Sequence, residues 1–87
     1  MKVVHKFELE FGFGKGIQLR EGAKVVHFGF QGQIPFIWVE LDPSVTVMVM
    51  RVFLVVGTGY QLSADNTYIG TAQTPGYVWH CYEEPVA

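Results

Sequence analysis

The stretch SVTVMVMRVFLVVGTGY, residues 44–60, limits the fold of this chain more than any other segment. Between Val45 and Val56 the only residues that are not apolar are Thr46 and Arg51. A helix needs about 20 residues to cross a bilayer, so this run is too short to be a membrane span. As a strand it breaks the usual alternation of a sheet wet on one side. Its odd face carries Val45, Val47, Val49, Arg51, Phe53 and Val55, and its even face Thr46, Met48, Met50, Val52, Leu54 and Val56. Both faces therefore ask to be covered. The strand either lies centrally between two sheets, partly under a loop, or turns its even face to another subunit. Burying the five apolar side chains of that face is worth on the order of 10 kcal/mol, at about 1.5–3 kcal/mol each. That matches an association cost of roughly 4–15 kcal/mol, so the sequence favours a homo-oligomer. With 87 residues, 49% hydrophobic and 16% charged, the chain has few elements of its own to do the covering.

Elsewhere the apolar period is also two. In HKFELEF, Phe7, Leu9 and Phe11 are expected on one face and Lys6, Glu8 and Glu10 on the other. GFGKG reads as a flexible connection, followed by a short strand over 17–20. In KVVHFGF, Val26, Phe28 and Phe30 are expected to share a side. Gly32 in QGQ marks a hairpin into IPFIWVEL, where Pro35 indicates a strand edge or entry. GTGYQLSADNT reads as an ordered polar loop. Tyr68–Thr74 and Tyr77–Glu83 form a hairpin across Pro75-Gly76, and the tail EEPVA is expected to fray. No helical stripe or internal repeat is present. The fold class is all-β: a single domain over 1–87, built as a small antiparallel β-sandwich or compact barrel of six to seven strands.

The residues with chemical potential are scattered. Net charge is −2, which provides no footprint for duplex nucleic acid. A single cysteine, Cys81, excludes an intrachain disulfide. The N-terminus has no apolar signal-peptide core, so the expected location is cytoplasmic, away from any membrane. His80 and Cys81 are strand neighbours on opposite faces, which argues against a shared metal or a thiolate–imidazole dyad. Glu8 and Glu10 form a solvated row without a pocket. GFGKG lacks the spacing of a phosphate loop. Gly57-Thr58-Gly59-Tyr60 is more suggestive, since two glycines admit a ligand close to the backbone beside a hydroxyl and an aromatic ring. Arg51 needs either a carboxylate such as Glu40 or Glu83 or a ligand anion. Trp38 reads as packing, and Trp79 as a stacking surface facing away from His80.

The segments EGAKVVHFGFQGQIPFIWVELDP, RVFLVVGTGYQL and YIGTAQTPGYVWHCYE, in this order, resemble a domain of unknown function found in small tailed-phage proteins. The likeness covers roughly residues 5–82. It rests on Gly22-Ala23, His27, Trp38, Asp42-Pro43, Arg51, Phe53, Gly57-Thr58-Gly59, Gly70-Thr71 and Val78-Trp79-His80. Tyr60 stands where that pattern commonly has histidine, and Val52 and Leu54 stand where polar residues are frequent. The resemblance implies a phage setting and no mechanism.

Together these features lead to the expectation of a phage-encoded, oligomeric small-molecule-binding protein acting in the host cytoplasm. It would sequester an anionic host metabolite, most specifically a cyclic nucleotide or ADP-ribose-type second messenger of antiphage immunity. Arg51, Thr58, Tyr60, Thr71, Trp79 and His80 are the expected ligand contacts. No catalytic residues, cofactor or metal are expected. The alternative is a structural or host-protein-interaction module of a phage, without a small ligand.

Overall fold

A computed structural model describes residues 1–85 of the chain. The described residues form β1 (Val3–Glu8), β2 (Gly12–Arg20), β3 (Lys24–Gln31), β4 (Ile34–Leu41), β5 (Met48–Gly57), β6 (Thr67–Thr74) and β7 (Tyr77–Glu83). All strand pairings are antiparallel. They make a three-stranded sheet, ordered β1-β4-β3, and a four-stranded sheet, ordered β2-β5-β7-β6. Of the two expected all-β architectures the chain takes the sandwich. Its core draws Phe28, Ile37 and Val39 from one sheet and Leu19, Phe53, Val55 and Cys81 from the other. The expected fraying of the tail concerns Val86 and Ala87, which lie outside the described residues.

Alternation explains most of the layers. In β4 Pro35, Ile37, Val39 and Leu41 are buried, while Phe36, Trp38 and Glu40 lie half-exposed on the outer face. Trp38, expected as packing, thus sits on the outside of the three-stranded sheet, against His27 at 5.3 Å between ring centroids. β4 is the central strand of its sheet, so Pro35 marks its entry and not an edge. The hairpin into β4 closes Gln31 on Ile34. Gly32 has φ of 62° and Gln33 a negative φ, the sign pattern of a type II′ turn.

Two expectations fail where the period slips. The β3–β4 register shifts between Val25 and His27. This bulge reverses the parity of β3, so Val25 packs on the core, Val26 is exposed and Phe28 is buried. Val26, Phe28 and Phe30 therefore do not share a side. β1 ends at Glu8, so Phe11 escapes the face of Phe7 and Leu9 and is 46% exposed, while Leu9 is buried.

GFGKG is also no free connection, because it lies within β2 and pairs with β5. Its glycines make room for the outer face of β5. A Cβ on Gly14 would stand 2.5 Å from Val52 Cγ1, and one on Gly16 would stand 2.7 Å from Met50 Sδ.

The doubly apolar run begins its strand at Met48, later than Val45. Phe53 and Val55 enter the core. On the even face Leu54 and Val56 are buried too, beneath the loop 58–66, whose Leu62 lies half-buried above them. Met48 and Met50 stay about half-exposed at 47% and 49%. The chain thus covers one end of its second apolar face by itself and leaves the other end open.

Candidate functional site

β5 leaves its sheet at Gly57, and β7 runs antiparallel beside it with Gly57 opposite Trp79 and Val56 opposite His80. The β6–β7 hairpin turns at the same end of the sheet, with Thr74 opposite Tyr77. The Gly57-Thr58-Gly59-Tyr60 segment therefore arches over the first residues of β7. A turn from Tyr60 N–H to the Gly57 carbonyl, 3.2 Å, holds it there.

On the outer face of the sheet this convergence builds a row of hydrogen bonds. Thr71 lies directly across from His80. Thr71 Oγ1 is 3.0 Å from His80 Nδ1, and Thr58 Oγ1 is 2.9 Å from His80 Nε2. The row extends to the Tyr68 hydroxyl, 2.6 Å from Thr71 Oγ1, and ends at the Val78 carbonyl, 3.4 Å from Thr58 Oγ1. A carbonyl only accepts, and this orders the protons. Thr58 donates to Val78 and so accepts from His80 Nε2–H, while Thr71 Oγ1 lies within hydrogen-bond reach of both His80 Nδ1 and the Tyr68 hydroxyl. Tyr60, Leu62, Val56 and Tyr82 wall a depression of about 190 Å³ beside Thr58 and His80. Below about 300 Å³ such a hollow is smaller than an ordinary ligand pocket.

Trp79 points to the opposite face, as strand alternation demands. There it borders a cavity of about 360 Å³ with Phe11, Tyr77, Thr74, Pro75 and Gln33. An open trough of about 680 Å³ passes around the end of the sheet and is lined by Gly57, Thr58, Gln73, Tyr77, Val78 and Trp79. It shares Gly57 and Thr58 with the first depression and Tyr77 and Trp79 with the cavity, so the three adjoin. Thr58, Tyr60, Thr71, Trp79 and His80 thus gather at one end of the four-stranded sheet.

Arg51 stands apart from them. It projects from the odd face of β5 and grips Glu83 with two hydrogen bonds, Nε to Oε2 at 2.6 Å and Nη2 to Oε1 at 2.8 Å. Its Nη1 donates to the Ala23 carbonyl at 2.6 Å. The Glu83 carboxylate holds the guanidinium above its ordinary pKa by hydrogen bonding, which outweighs burial, with its charge adding a smaller pull. Each of its three nitrogens donates to the protein. It ties β5, β7 and the turn before β3 together and presents nothing to the gathered residues.

Cys81 lies between them on the core side, fully buried, and burial pushes its thiol up to about 12, with the Glu83 charge adding to the effect. It is a packing residue without a reactive thiolate at neutral pH. Tyr68, Tyr82 and Phe11 belong to the convergence and escaped selection from sequence. In the sequence Tyr68 and Tyr82 have only their aromatic character to mark them, and Phe11 falls in alternation with Phe7 and Leu9.

Compared with known proteins, the chain matches over residues 1–87 the family described as a domain of unknown function (DUF7352). No curated protein and no solved structure matches it.

Proposed function

The chain belongs to that family, whose description assigns no activity, and on this premise we propose that it is a binding protein that holds a small nucleotide-type molecule at the end of its four-stranded sheet. The observation that carries the reading is the adjacency of three hollows at this end of the sheet. An aromatic surface at Trp79 and a hydroxyl–imidazole row at Thr58, His80 and Thr71 lie on opposite faces of one strand, and the open trough beside them borders both Trp79 and Thr58. A flat ring stacks on the first part, and an arm rich in oxygen reaches the second. The ligand of most specific interest is a cyclic nucleotide or ADP-ribose-type second messenger of antiphage immunity. The protein would be phage-encoded and would act in the host cytoplasm by sequestering that molecule without turning it over. Arg51 is engaged by Glu83, so anion recognition requires His80 and the two threonine hydroxyls to exchange their present partners for the ligand. A homo-oligomer would pair through the open strip at Met48 and Met50, at the opposite end of β5 from the site.

Titration calorimetry against cyclic dinucleotides and cyclic ADP-ribose isomers tests the reading. We expect saturable heat with at least one of them, lost in His80→Ala and Thr71→Val. No heat across the panel removes the nucleotide proposal.

A structural or host-protein-interaction role without a small ligand is favoured by the same open strip, where Met48 and Met50 are each about half-exposed. Mass spectrometry of purified virions separates the two, since a sequestering protein is expected to be absent from particles.

A further inference from the structure

We infer that the cavity at the mouth between the two sheets is a stacking subsite for a neutral heteroaromatic ring, a nucleobase in character. Its lining comes from three places far apart in sequence: Phe11 between β1 and β2, Gln33 in the β3–β4 turn, and Thr74 to Trp79 around the β6–β7 turn. Phe11 and Trp79 meet at 4.6 Å between ring centroids, and Tyr77 and Trp79 at 5.7 Å. Tyr77 is 65% exposed and Phe11 46%, so two rings flank a more sheltered third. Single exposed aromatics are ordinary, but three joined through Trp79 around a hollow present an extended ring surface to water.

The chemistry of the lining narrows the occupant. No side chain lining the cavity carries a formal charge. It therefore offers no carboxylate to neutralise an ammonium group and no cation to hold a phosphate. Its polar groups are the Gln33 amide and the Thr74 and Tyr77 hydroxyls, which both donate and accept, as the edge of a base does. Trp79 Nε1–H donates to Thr74 Oγ1 at 2.9 Å. That bond fixes the indole plane and leaves the N–H unavailable to a peptide carbonyl, which disfavours a proline-rich strand as occupant. At about 360 Å³ the hollow takes one ring system and not a whole dinucleotide.

This inference deepens the proposed function by naming the part of the ligand that Trp79 receives and by adding Phe11, Tyr77 and Gln33 to the site. The test uses uncharged nucleosides, adenosine, guanosine and cytidine, with the Trp79 indole N–H resonance as the reporter. A saturable shift is expected for at least one nucleoside, weakened about tenfold in Phe11→Leu and in Tyr77→Ala. Phe11→Leu keeps an apolar contact for the core margin while removing the ring, so loss of fold does not mimic loss of stacking. Gln33→Ala is expected to flatten the preference among bases. A shift with tetramethylammonium but none with nucleosides overturns the inference, as does a nucleoside shift that survives both aromatic substitutions. Nucleotides binding while nucleosides do not would also overturn it and leave the broader reading standing. Conversely, nucleosides that bind while Thr71→Val leaves nucleotide affinity unchanged would support this subsite and count against the hydroxyl–imidazole row.

Discussion

Removing the Arg51 guanidinium strands the Glu83 carboxylate at the margin of the core, with both side chains mostly shielded from water. Arg51→Met is expected to cost roughly 3 kcal/mol in urea unfolding, because an unpaired charge remains where a paired one stood. Arg51→Met combined with Glu83→Leu should recover most of that loss. Neither change should alter ligand affinity, since the guanidinium serves the fold and faces away from Thr58, Thr71 and His80. Cys81 makes a second prediction. Its native pKa lies near 12, above the ordinary 9.0. Below the ordinary value both states keep the proton, and stability is unaffected. As pH rises from there toward the native value, the unfolded chain releases a proton that the folded chain retains. Stability therefore falls across that window. The unfolding midpoint should decline between about pH 9 and 12, and Cys81→Ala should lack that component. Thiol reagents at pH 8 should leave the native protein unmodified and label it once unfolded.

At the level of elements, much of the site is written in one hairpin. Pro75-Gly76 pairs Thr74 with Tyr77, and counting back through alternate residues places Thr71 opposite His80. That contact was legible once the turn was recognised. Tyr68 was not, because a regular strand puts residues 68 and 71 on opposite faces. The register shift between Tyr68 and Gly70 brings both hydroxyls to one side, 2.6 Å apart. The bulge near Val25 hid the core in the same way. Bulges leave no reliable mark in composition, since they arise where two strands of fixed length must accommodate a third element. The glycines of β2 supply a prediction at this scale. Gly14→Ala should cost about 1–3 kcal/mol, because the added methyl meets the branched Val52. Gly16→Ala should cost less, roughly 0.5 kcal/mol or below, since Met50 can swing its sulfur aside. Chemical denaturation of the two variants side by side checks the order.

The whole molecule is a slab whose Cα atoms span 41 × 30 × 15 Å, so two sheets leave two broad outer faces. Of the five apolar side chains on the even face of β5, Leu54 and Val56 are covered by the chain's own loop. The remaining strip is expected to support self-association, with wild type sedimenting above 9.8 kDa at micromolar concentration and Met50→Lys returning it to that mass. A lone 9.8 kDa particle in the wild type would remove the oligomer from the proposal. The sequence by itself determined the class of fold, most strand limits and the turn at Gly32. Each of these follows from short-range physics, namely side-chain alternation and the dihedral freedom of particular turn residues. The tertiary structure alone decided which strands share a sheet, that Arg51 meets Glu83 across 32 residues and that Phe11 meets Trp79. Those outcomes depend on how two sheets stack and slip against each other, a balance of packing summed over the molecule that no local pattern encodes.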